Sequence, residues 1–177
     1  DGNGSTINGY SNNDIGSDGF ADDINGTTGI RVAGTDATRH TNVTIRNVDL
    51  ESGSTGINAT HTSDIEIVDV SVTGASLQAI DVHETDGNVT IRNVETENSP
   101  IYSEGPQIPS RPAIDVGERP DLHDAVPDRI NVTNLSVDDS TQTPASTPES
   151  AVKLETDGGP ITVTDTTISP SPRGGLA

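Results

Sequence analysis

One pattern recurs five times along the chain, and it limits the possible folds more than any other feature. Its first half is GIRVAG at 29–34, GINATH at 56–61, AIDVHE at 79–84, AIDVGE at 113–118 and AVKLET at 151–156. Its second half is NVTIRNVDL from Asn42, DIEIVDVSV from Asp64, NVTIRNVET from Asn88, RINVTNLSV from Arg129 and PITVTDTTI from Pro160. Self-similarity of this kind marks a stacked architecture, in which each unit buries its apolar face only against its neighbours.

Within each half the apolar residues alternate. Ile30 and Val32, Ile57 and Ala59, Ile80 and Val82, Ile114 and Val116, and Val152 and Leu154 share one face of a strand. In the second half Val43 and Ile45 are followed by Val48 and Leu50, a step of three rather than two. An alternation that skips one residue and resumes must turn a corner with the same side inward. The corner residue is Asn47, Asp69, Asn93, Asn134 and Asp165 in turn. Asn and Asp tolerate the positive φ that a tight bend needs, and a stack of them can hydrogen-bond along the axis. The short period, 22 residues from Val43 to Ile65 and 24 from Ile65 to Val89, fits strands and turns. Helix-pair repeats need about 33–47 residues.

These features predict an all-β right-handed parallel β-helix, a solenoid of five coils over 29–169. Residues 1–28 supply an irregular N-terminal rung, with 2–9 as a candidate sixth coil, and 170–177 form a linker-like tail. Inserted loops are expected at 99–112, 118–128 and 138–150, which are rich in Pro, Ser and acids. Neither end carries a recognisable cap, so the expectation is that the chain continues or that partner chains cover the ends.

DGNGSTING at the start, followed by repeats of the type GIRV and NVTIRNV, resembles the pectate-lyase-like superfamily of right-handed parallel β-helices. The similarity is to its surface branch of carbohydrate-binding and sugar-hydrolase proteins. The resemblance implies the fold, and an activity that is either glycan binding or polysaccharide cleavage.

Composition narrows the setting. Net charge is −19, from 28 acidic and 9 basic residues, and the single lysine is Lys153. An acidic, Lys-poor chain is similar to salt-adapted proteins of haloarchaeal type: in molar salt the Debye length is about 3 Å and surface repulsion is screened. Such a charge argues against nucleic acid as a partner. There is no Cys, so no disulfide framework and no thiol chemistry, and no Met, as in a processed or excised chain. No apolar run approaches the ~20 residues of a membrane span, so no membrane insertion is expected. Asn3, Asn25, Asn42, Asn58, Asn88 and Asn131 head candidate glycosylation sequons of an extracellular or cell-surface chain. Asn134 heads a seventh, but the repeat assigns it to the corner stack.

Stacking in register makes neighbours of matching positions. Arg31, Asn58, Asp81, Asp115 and Lys153 form one outward column, and Ala33, Thr60, His83, Gly117 and Glu155 the next. Asp81 and Asp115, with His83 beside them, are the candidate catalytic residues. A carboxylate pair suits inverting glycoside hydrolysis, one group as acid and one as base. The polygalacturonase-like branch places clustered Asp residues on such a strand, but its surrounding motifs are missing here. Arg31, Asn58, Tyr102 and Lys153 are candidate ligand contacts, with Arg31 and Lys153 expected two rungs from the acids. Asp81, Asp115 and Glu118 are candidate ligands for Ca²⁺, with Asp121 and Asp124 nearby in sequence. The same column is equally what the solvated face of an acidic solenoid offers, and His40, His61 and His123 read as surface residues.

Three roles follow. The first is a non-catalytic extracellular module, structural or adhesive, that contacts a polysaccharide or cell-surface glycan. The second is a polysaccharide hydrolase or lyase acting through Asp81 and Asp115. The third is a viral spike or tail-fibre module, which would be a homo-oligomer.

Overall fold

The computed structural model describes residues 5–8, 28–99, 112–118, 125–138 and 151–169. It is an all-β, parallel, solenoid-like stack, with no helix among the described residues. The strands are β1 (Ser5–Asn8), β2 (Thr28–Ala33), β3 (His40–Thr60), β4 (Thr62–His83) and β5 (Asp86–Glu97), then β6 (Ile114–Gly117), β7 (Arg129–Asp138), β8 (Val152–Leu154), β9 (Ile161–Thr164) and β10 (Thr167–Ile168). Each pairs in parallel with its counterpart in the next repeat. Val43 thus lies beside Ile65, Ile65 beside Val89, Val89 beside Ile130, and Ile130 beside Ile161. β1 joins the same sheet, with Ser5 in register with Val48 and Ile7 with Leu50; the rest of the expected N-terminal rung lies outside the described residues.

The length of β3 and β4, 21 and 22 residues, shows how the corners work. The chain bends without leaving the sheet, because the bend costs one residue of positive φ. Asn47, Asp69, Asn93, Asn134 and Asp165 all have φ between 51° and 54°, as their positions in the repeat require. Their side chains form a ladder: Asn93 Nδ2 donates to Asp69 Oδ1 at 2.7 Å, and Asn134 Nδ2 donates to Asn93 Oδ1 at 3.0 Å. An amide can donate to one rung and accept from the next, which a carboxylate cannot.

A second bend runs through Asn42, Asp64 and Gly87. Gly87 has φ +73°, and a Cβ there would meet Asp64 Oδ1 at 2.8 Å, so glycine is required. Asp64 Oδ1 accepts from both the backbone N–H and the side-chain Nδ2 of Asn88, at 3.0 and 2.7 Å. These bonds hold the Asp64 carboxyl below its ordinary value of 3.8, the Asn88 side chain contributing most. A depressed folded value gives stabilisation that is complete above the unfolded value and is lost as pH falls through the folded one. Asn88→Ala should therefore shift the Asp64 carboxyl titration, followed by ¹³C NMR, to higher pH than in wild type. An unchanged titration would show that the backbone bond alone sets it.

The core is the inward column of every repeat. Ile57, Ile67, Val72, Ile80, Ile91, Ile114, Ile130 and Val152 have no exposed surface. Cover thins at both ends of the stack. Ile30, Val32 and Val43 are only partly buried, and Ile161, expected inward, is 43% exposed. The reason is topological: β9 pairs with β7 and with no other described strand.

Candidate functional site

The two outward columns form as the repeat implies. Arg31 pairs with Asn58, Asn58 with Asp81, Asp81 with Asp115, and Asp115 with Lys153. Ala33, Thr60, His83 and Gly117 align beside them, and a Cβ at Gly117 would lie 2.5 Å from Glu155 Cβ. Lys153 is therefore one rung from Asp115, not two. Its Nζ stands 3.9 Å from Asp115 Oδ1, 3.0 Å from Glu155 Oε2 and 3.4 Å from the Glu118 carbonyl oxygen.

Outward is not exposed, and this corrects the reading of the column as a solvated face. Asp81 is 3% exposed and His83 1%. Polar side chains on neighbouring rungs meet both residues. Asn58 Nδ2 donates to Asp81 Oδ2 at 2.8 Å. Gln78, buried although it belongs to no apolar ladder, places its Nε2 3.4 Å from Asp115 Oδ2. His83 Nδ1 lies 3.1 Å from the Gly117 carbonyl oxygen. A carbonyl only accepts, so Nδ1 carries the proton of that bond. His83 Nε2 then faces the carboxylates, against Asp81 Oδ1 and 4.0 Å from Asp115 Oδ2.

Asp81, His83 and Asp115 each contribute one donor atom to a group whose members lie within 4.8 Å of one another. The facing oxygens of Asp81 and Asp115 thus stand closer than the about 6.5–9.5 Å between carboxyl groups with which inverting hydrolysis admits a water. Glu118 is not in the cluster; its carbonyl oxygen instead meets Lys153. Burial pushes the Asp115 carboxyl up, against the opposing pull of His83 and Lys153; Asp81 and Glu155 add to the rise.

A second polar group forms at the corner after β3. His61 has φ 52°, with Nδ1 2.8 Å from Glu84 Oε2 and Nε2 3.3 Å from Asp36 Oδ1. Arg39 sits 3.5 Å from Asp86 Oδ2 and donates to the Glu84 carbonyl oxygen. His61 thus stands between two carboxylates and is largely covered rather than a free surface residue. His40 is exposed.

The remaining sites divide. Exposed Arg31 borders an open depression with Ala33, His40 and Asn42 at the β2 end of the stack, two rungs from Asp81. The amide nitrogens of Asn58, Asn88 and Asn134, the atoms a glycan would occupy, donate to Asp81, Asp64 and Asn93. Asn42 is exposed and Asn131 half-buried. Asn3, Asn25, Tyr102, Asp121, His123 and Asp124 lie outside the described residues. Gln78 was not legible as part of the site, because it falls at the irregularity where Thr55 pairs with it instead of continuing the alternation. No family model, curated protein or solved structure matches the chain.

Proposed function

We propose that this chain is a right-handed parallel β-helix of the pectate-lyase-like kind, acting as a rigid module of a salt-adapted, extracellular or cell-surface protein. It contacts glycans through its outer face and loops and performs no chemistry of its own. One observation carries the non-catalytic reading: Asp81, the acid at the centre of the column, is 3% exposed, accepts from Asn58 and lies against His83. A group that must exchange protons with a bulky sugar cannot be enclosed by its neighbours. The net charge of −19 supports the high-salt setting, and exposed Asn42 is the sequon best placed to carry a glycan. Arg31 and its depression offer the polar edge on which an anionic polysaccharide would rest.

A polysaccharide-cleaving enzyme is the rival reading, and Asp115 favours it. Its side chain is 13% exposed and its carboxyl is raised, as in a general acid. The two readings separate in a release assay in about 2 M KCl, where screening is nearly complete. Wild type and Asp81→Asn/Asp115→Asn are compared on acidic and neutral polysaccharides. The expected result is retention of both proteins on one polysaccharide, with no new reducing ends. Release by wild type and not by the variant would establish an enzyme.

A further inference from the structure

We propose that Asp81, His83 and Asp115 form a binding site for one divalent transition cation of the zinc type, clamping β4 to β6. The inference does not depend on the glycan reading. Four features of the geometry carry it. The donor set is one imidazole nitrogen and two carboxylates, gathered within 4.8 Å. Donors sharing one zinc at 2.0–2.2 Å stand roughly 3.4 Å from one another, so the cluster matches that span with small rotamer adjustments.

The second feature is the tautomer. His83 Nδ1 donates to the Gly117 carbonyl, which aims Nε2 at the carboxylates. A metal-ligating histidine is held in this way by a backbone carbonyl on its other nitrogen. The third is that His83 Nε2, in a side chain 1% exposed, makes no hydrogen bond; it has only charge contacts with the two aspartates. Asp115 Oδ1 is likewise buried without a hydrogen bond. An imidazole nitrogen and two carboxylates gathered in a covered site call for a positive charge between them.

The fourth feature is support behind the ligands. Asn58 Nδ2 holds Asp81 Oδ2, with Asp81 Oδ1 against His83 Nε2, and Gln78 Nε2 stands 3.4 Å from Asp115 Oδ2, the oxygen that faces His83. Among the described residues Lys153 is the nearest competing cation, but its Nζ is closer to Glu155 Oε2 than to Asp115. An imidazole ligand selects zinc-type ions over Ca²⁺, which takes six to eight oxygens. The three side chains would leave a fourth position for water.

The test uses the whole chain in about 2 M KCl, stripped with EDTA and titrated calorimetrically with Zn²⁺ and with Ca²⁺. We expect one Zn²⁺ per chain, bound at least about 100-fold more tightly than Ca²⁺, and a Zn²⁺-dependent rise in Tm. Asp115→Asn should weaken Zn²⁺ binding at least about 10-fold, while Glu118→Gln leaves it unchanged. Wild type alone supplies an independent readout: of the 4 histidines, only His83 should shift its Nε2 resonance on Zn²⁺ addition, in a ¹⁵N NMR spectrum. Absence of stoichiometric uptake, equal uptake by Asp115→Asn, equal affinity for Ca²⁺, or a shift at another histidine overturns the site.

Discussion

Ile91→Ala lowers the stability of the whole stack by about 2–5 kcal/mol, the usual cost of emptying an Ile-sized space in a closed core. Ile91 has no exposed surface and sits in register between Ile67 on one side and Val132 on the other. Neighbours on both rungs are held by the backbone ladder, so the space cannot collapse. Ile161 takes the neighbouring inward position, in the column of Val89 and Ile130, but is 43% exposed and is covered from one side among the described strands. Ile161→Ala should therefore cost well under half as much. In a stack where each rung touches only its neighbours, a central loss also uncouples the two halves. Urea unfolding in high salt, followed by far-UV circular dichroism, measures both variants. Equal losses at the two positions would mean that the end rung is covered in solution, by chain or by partner.

The features legible in the sequence are those that depend on period alone. Alternation gives the inward face, the missed beat gives the corner, and repeat length gives the register. All five corner residues have the positive φ expected of them. The columns headed by Arg31 and Ala33 align as the repeat implies. Burial of the outward face was not legible, because it depends on which side chains are long enough to cover their neighbours. Asn58, Gln78 and His83 do so here, whereas Thr44 and Arg46 remain exposed on the same strand as Asn58. Alternation cannot distinguish an outward Asp in water from one enclosed by amides. Gln78 was hidden for a related reason: the register shift between Gly53 and Thr55 takes it out of the pattern. Asp36, which meets His61, lies in a turn outside the repeat, so nothing periodic pointed to it.

That burial sets the second large effect. Asp81→Ala, measured without added metal, destabilises the chain by about 3–5 kcal/mol, the range for removing one partner of a buried charged pair. The loss falls on groups that stay behind. Asn58 Nδ2 loses its acceptor, and His83 Nε2 loses the carboxylate nearest it in a site 1% exposed. Asp115 Oδ2, at 4.0 Å, is too distant to replace it with a hydrogen bond. Asp81→Asn keeps an oxygen and the side-chain shape and should cost less than Asp81→Ala. The double variant Asp81→Ala/His83→Ala should be more stable than the sum of the single losses predicts, by roughly 0.5–3 kcal/mol, because the orphaned imidazole is gone. Strict additivity of the single losses would mean that the two side chains do not depend on each other. Asp81 would then be free for solvent and substrate, as an enzyme requires and a scaffold does not.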